Sequence, residues 1–246
     1  MGESFGAYTI GLDVEVMPYI TSANVACGFH AGDPTVMRQT VRVAREHGVA
    51  VGAHPGLPDL VGFGRREMNI GARELEDAVA YQVGALAGLA AAEGVRLQHV
   101  KAHGALYNMA AKDGALADAI ARAVAAVDAS LVLLGLPRSE LLRAGERAGL
   151  RVVGEAFADR AYEPDGSLVS RQKPGAVIHD PDAVVARVLR MAREGVIRAV
   201  DGTDIPLPVG TICTHGDTPG AEELVRRIRE ALERDGVRVQ PFGRGA

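Results

Sequence analysis

Short apolar runs rich in β-branched residues recur along the chain at Asn24 to Cys27, Val49 to Ala53, Leu97 to Ala102, Leu131 to Leu134, Val152 to Ala156, Ala176 to Ile178 and Thr211 to Thr214. Their length and flanking loop residues predict buried strands. Between most of them the spacing changes. Leu75, Val79, Val83, Leu86 and Ala90 recur every three or four residues, as do Leu224, Ile228 and Leu232, which predicts helices with one apolar face. Many helical stretches close on glycine, as in Glu46-His47-Gly48, Glu93-Gly94, Ala148-Gly149, Glu194-Gly195 and Asp235-Gly236, where a left-handed residue is cheapest without a Cβ. Alternating strand and helix predicts a parallel sheet with right-handed crossovers. Seven or so such repeats suggest closure into an α/β barrel, with an open doubly wound sheet as the alternative. Two interruptions, Glu163-Pro164-Asp165-Gly166 and Asp201-Gly202, read as hairpin turns. No linker divides residues 1–246, so one domain is expected.

Composition narrows the ligand class. A chain of 246 residues suits an undivided barrel. The net charge of −4 comes from interleaved acidic and basic residues without a like-charge run, which disfavours nucleic acid. Cys27 and Cys213 are the only cysteines, too few for a disulfide scaffold, and a reducing cytoplasm is expected. The longest uncharged stretch, Ala78 to Ala92, is too short to cross ~30 Å of hydrocarbon and reads as a buried helix. Small molecules remain the expected ligands.

Histidines carry the candidate chemistry. Phe29-His30-Ala31-Gly32-Asp33-Pro34, Ile178-His179-Asp180-Pro181 and Thr214-His215-Gly216-Asp217-Thr218-Pro219 share one plan, in which a strand ends, a His follows and a helix begins. Asp33, Asp180 and Thr218 suit N-caps, and a proline at the first helical position loses no hydrogen bond. His54 and His103 occupy similar places, and period-two alternation sets His99, Lys101 and His103 on one strand face. Strand C-termini facing helix N-termini are where barrels place active sites. Histidines there suit acid–base work or metal ligation. Taken singly, His30 and His179 read equally well as structural neighbours of a cap. His47 is accounted for by the helix end it sits on, and Cys27 reads as a small buried residue. Asp159, Arg160 and Tyr162 follow the fifth run, where Arg160 could grip a carboxylate or join a loop ion pair. No Walker-type phosphate loop, dinucleotide fingerprint or Gly-x-Ser-x-Gly elbow is present.

Several long segments together resemble the LamB/YcsF family: Gly2-Glu3-Ser4-Phe5-Gly6, Ser22 to Asp33, Gly52-Ala53-His54-Pro55-Gly56, His99 to Asn108, Phe157 to Tyr162 and Cys213 to Thr218. The resemblance implies a distorted seven-stranded parallel β/α barrel, TIM-like and of the glycoside hydrolase and deacetylase type. It implies cleavage of the lactam of 5-oxoproline to glutamate with hydrolysis of ATP, accompanied by Mg²⁺, in company with separate B and C subunits. On this reading His54, His103, Asp159 and His215 are the catalytic candidates. Glu3, Asn24, His30, Asp33, Lys101, Asn108, Arg160 and Asp217 are candidates for holding substrate. Family members carry a further acidic strand ahead of the Gly-Glu-Ser motif. Here Met1 directly precedes it, so the first barrel strand is expected to be truncated, with Glu3 the nearest remaining carboxylate. Two alternatives stand beside this reading. One is a stand-alone metal-dependent deacetylase or amidohydrolase with His54 and His103 among the ligands. The other is a non-catalytic subunit that binds 5-oxoproline.

Overall fold

A computed structural model describes residues 1–215 and 220–242. Its elements run α1 (Asp13–Val16), β1 (Ser22–Ala26), α2 (Pro34–Glu46), β2 (Ala50–His54), α3 (Ala72–Ala92), β3 (Leu97–Lys101), α4 (Gly104–Ala110), α5 (Gly114–Val127), β4 (Val132–Gly135), α6 (Glu140–Arg147), β5 (Arg151–Phe157), α7 (Pro181–Glu194), β6 (Val196–Arg198), β7 (Asp204–Pro206), β8 (Thr211–Cys213) and α8 (Ala221–Arg234). A parallel sheet in the order β1-β2-β3-β4-β5-β8 curls into a half-barrel. Its ends approach one another through helices: α8 packs on α1 and on the 3₁₀ turn Met17–Tyr19 that leads into β1.

The sheet has six strands among the described residues, where seven were expected. The discrepancy lies at Ala176 to Ile178. That segment makes an antiparallel bridge, Arg160 to Val177, with Ile178 N–H donating to Asp159 O at 2.8 Å and Ala161 N–H to Ala176 O at 3.0 Å. It therefore props the loop after β5, and β5 pairs directly with β8 through Glu155↔Thr211, Ala156↔Ile212 and Phe157↔Cys213. A turn at Lys173 and the α7 N-cap at Asp180 leave this apolar run too short to lay down a ladder. At the other end of the sheet, Met1 lies on the free edge of β1: Ala26 N–H donates to Met1 O at 3.0 Å, and the Met1 amino group to Asn24 O at 2.9 Å.

Local signals otherwise set the elements where their chemistry places them. The α3 stripe Leu75, Val79, Val83, Leu86 and Ala90 is buried against the sheet, each leucine contributing roughly 1.5–3 kcal/mol by leaving water. Asp33 caps α2 by accepting from Thr35 N at 2.8 Å and Val36 N at 3.1 Å, and Asp180 caps α7 by accepting from Asp182 N at 3.0 Å. Gly195 ends α7 in the left-handed region at φ 63°. Both predicted hairpin turns form. β6 and β7 pair antiparallel across Asp201-Gly202, and Tyr162 bridges Leu168 across Glu163 to Gly166. Thr218 and Asp217 lie outside the described residues. No helix among the described residues is long and apolar enough to cross a membrane.

Candidate active site

Three histidines meet at the strand C-termini. His54 ends β2, His103 stands at the N-cap of α4 just after β3, and His30 comes from the loop between β1 and α2. His30 stacks on His103 with ring centroids 3.7 Å apart and planes 4° from parallel, while His54 meets both rings edge-on. Neighbouring backbone is shaped for this close approach. A Cβ on Gly64 would sit 2.8 Å from His30 Cβ and 2.9 Å from His103 Cδ2. From α3, buried Gln82 clamps Gly56, accepting from its N–H at 2.9 Å and donating to its carbonyl at 3.0 Å. Phe63 adopts φ 54°, a left-handed conformation costing a non-glycine residue roughly 1–3 kcal/mol. The strained turn aims the Phe63 carbonyl at His103 Nε2, 2.8 Å away, and is tied by Asp59, which pairs with Arg66 and accepts from Gly62 N at 2.8 Å.

Burial sets the charge state of these rings. It drives the His30 imidazole down to about 2 and His103 to about 3, and it holds His54 well below the ordinary value. His99, one layer deeper, is pushed down to about 3 by burial. It faces Asn24 Oδ1 at 2.9 Å, and Gly52 makes room, since a Cβ there would lie 2.1 Å from His99 Nε2.

The other wall is ionic. Lys101 Nζ lies 2.8 Å from Glu155 Oε1 and 3.1 Å from Cys213 Sγ, above the Phe157 ring, and both charged side chains are buried. Burial opposes the Lys101 charge, but Cys213 and Glu155 outweigh it and keep Lys101 an ammonium. Tyr107 donates to the second Glu155 oxygen at 3.2 Å. Past the end of β8, His215 Nδ1 lies 2.8 Å and 3.0 Å from the two Asp159 oxygens, while Arg171 Nη2 donates to His215 Nε2 at 2.7 Å. A carboxylate only accepts, so His215 carries its proton on Nδ1 and its lone pair on Nε2. Burial would raise the Asp159 carboxyl, but His215 draws it below its ordinary range and Asp159 stays charged.

These walls enclose a cleft of about 1390 Å³ lined by Glu3, Asn24, His54, Lys101, His103, Asn108, Arg160 and His215. Other expected site residues are placed differently. His30 is buried behind His103, and Asp159 stands behind His215. Asp33 is occupied structurally, capping α2 and accepting from Gly6 N at 2.8 Å. Arg160 donates to the Val169 carbonyl at 2.6 Å and to the Ala176 carbonyl at 3.2 Å, and among the described residues no ion pair engages it. Cys27 is a buried free thiol pushed up to about 12, chiefly by burial. Sequence reasoning missed Glu155, Tyr107, Gln82 and Arg171. Only Glu155 left a signal, as a lone charge inside the apolar Val152 to Ala156 run.

A stability prediction follows from the depressed histidines. The unfolded chain takes up protons on His30 and His99 below the ordinary 6.5, whereas the folded chain does not until about 2 and 3. Stability is thus fully present above pH 6.5 and falls as pH drops from there toward 3, with a slope of up to about 1.4 kcal/mol per pH unit for each histidine. Urea midpoints measured from pH 4.5 to 8 show this slope, and His99→Gln makes it shallower; equal slopes in the two proteins would contradict it.

A parallel α/β half-barrel with a polar cleft at its strand C-termini, walled by histidines and a buried ion pair, defines a small-molecule enzyme scaffold. The chain belongs to the LamB/YcsF family, whose sequence profile matches residues 1–246. It is 57% identical over 242 residues to a Bacillus licheniformis protein named as the A subunit of 5-oxoprolinase, covering 98% of this chain and 96% of that one. A Tolumonas auensis protein of the same name is 58% identical over 240 residues, covering 98% and 96%. The crystal structure of a lactam utilization protein from Thermus thermophilus superposes with a TM-score of 0.93 at 49% identity, covering 98% of this chain and 97% of that one.

Proposed function

We propose that this chain is the A subunit of a 5-oxoprolinase, a hydrolase that opens the lactam of 5-oxoproline to glutamate in company with other subunits. Its full-length likeness to relatives of that name carries the reading. The cleft chemistry supports it. Opening the ring breaks the amide C–N bond: water oxygen adds to the carbonyl carbon, and the nitrogen leaves as an amine after taking a proton. His215 Nε2, with Asp159 orienting the ring, has the lone pair to take a proton from water. Arg171, now on that nitrogen, is placed to meet the α-carboxylate of a ligand and so release the lone pair. The Lys101 ammonium supplies positive charge where negative charge develops on oxygen.

ATP, with Mg²⁺, enters this reading as the co-reactant, because phosphorylating the carbonyl oxygen of an unstrained lactam creates a leaving group. Arg160 is already engaged by carbonyls and the sequence carries no phosphate-binding loop, which supports phosphoryl chemistry on a partner of the B and C type. The test is 5-oxoproline-dependent release of glutamate and phosphate by this chain alone, by B and C alone, and by all three. The expected result is glutamate only from the full set; glutamate from B and C without this chain would remove it from the reaction.

A further inference from the structure

The His54–His103 contact is short of something between its nitrogens. His54 Nδ1 lies 2.7 Å from the Lys101 carbonyl and His103 Nε2 lies 2.8 Å from the Phe63 carbonyl. Carbonyls only accept, so each outer nitrogen carries its ring's proton. The inner nitrogens, His54 Nε2 and His103 Nδ1, then face each other 3.0 Å apart as two bare lone pairs. Two lone pairs at this distance repel unless a cation stands beside them. A ring that gives its outer N–H to a carbonyl while its other nitrogen is left bare is how proteins fix a metal-ligating histidine. The Phe63 strain has a purpose on this view, since it supplies one of those carbonyls.

We infer that His54 Nε2 and His103 Nδ1 bind a divalent transition-metal ion of the zinc class at the wall of the cleft. Their 3.0 Å separation is within the span of two metal–nitrogen bonds of about 2.0–2.1 Å each. Glu3 stands near His103: carboxylate and ring donor atoms of Glu3, His30 and His103 all lie within 4.8 Å of one another, a group that does not include His54. His30 is not a ligand in this arrangement. Its ring lies parallel to His103 at 3.7 Å, so an ion in the plane of one ring is out of the plane of the other. It adds a second unmet demand beside this spot, since it is 1% exposed and both its ring nitrogens lack hydrogen-bond partners among the described residues. Two imidazoles favour a borderline ion over Mg²⁺ or Ca²⁺, which prefer all-oxygen shells. Two protein ligands leave coordination positions toward the cleft, where such an ion would polarise a bound carbonyl.

The experiment needs neither substrate nor partners, so its outcome is independent of the lactam reading. Untagged, chelator-stripped full-length protein is dialysed against Zn²⁺ or Co²⁺, and bound metal is counted by elemental analysis, with Co²⁺ ligand-field absorption reporting nitrogen ligation. One equivalent per chain is expected, with affinity falling at least 100-fold in His54→Ala and in His103→Ala and retained in His47→Ala, which alters an exposed histidine on the far end of α2. Urea unfolding of each stripped variant establishes that it is folded before binding is measured. If His54→Ala/His103→Ala, still folded, retains the same stoichiometry and Co²⁺ spectrum, the assignment is wrong. So is it if the wild-type chain binds no metal above background, in which case the two nitrogens share a proton.

Discussion

Asp159→Asn is expected to lower turnover of the reconstituted complex by roughly 10²- to 10⁴-fold while leaving the fold intact. Asp159 accepts from His215 Nδ1 at 2.8 Å, and this contact puts the imidazole proton on Nδ1 and the lone pair on Nε2. An asparagine amide turned with its NH₂ toward the ring rewards the opposite tautomer and places the proton where the base must act. The volume change is negligible, so thermal unfolding should move by a few degrees at most. A kcat within about threefold of the unaltered complex would show that His215 is not the base. A loss confined to KM would instead assign the pair to ligand binding.

The second large effect concerns stability. Lys101 and Glu155 face each other at 2.8 Å with side chains 6% and 2% exposed. Removing one partner strands the other charge in a dry interior. Glu155→Leu or Lys101→Met alone should therefore cost about 3–5 kcal/mol in urea unfolding. Lys101→Met/Glu155→Leu should recover most of that, because an apolar pair of similar volume has no charge to desolvate. The same double variant should stay inactive if the ammonium stabilises developing charge. Single variants as stable as the starting protein would mean that water reaches this pair from the cleft.

The two substitutions separate roles that sequence alone joins. Spacing places Lys101 and His103 on one strand face and sets Asp159 and Arg160 just beyond another strand, but every residue in such a list carries the same weight. In the fold their duties differ. Lys101 is neutralised by Glu155, Arg160 is held by the carbonyls of Val169 and Ala176, and Asp33 anchors the loop at Gly6 to the start of α2. A capping aspartate and a ligand-binding aspartate have the same local signature, a carboxylate before a proline-led helix. Contacts made across the chain tell them apart.

What the chain determined by itself is the set of elements whose causes are local. Apolar spacing along α3, the aspartate-proline starts of α2 and α7, the glycine that closes α7 and the turns at Gly166 and Gly202 each depend on residues a few positions apart. Tertiary structure decided two things that no local rule reaches. It assigned Ala176 to Ile178 to propping a loop, because β8 takes the edge of β5 that a seventh strand would have needed. It also turned His54 and His103 so that their bare nitrogens meet at 3.0 Å, an orientation set by the carbonyl of Lys101, 47 residues from His54, and that of Phe63, 40 residues from His103. A histidine's position is written in sequence, but which of its nitrogens is left bare depends on the acceptor that the fold brings to the other.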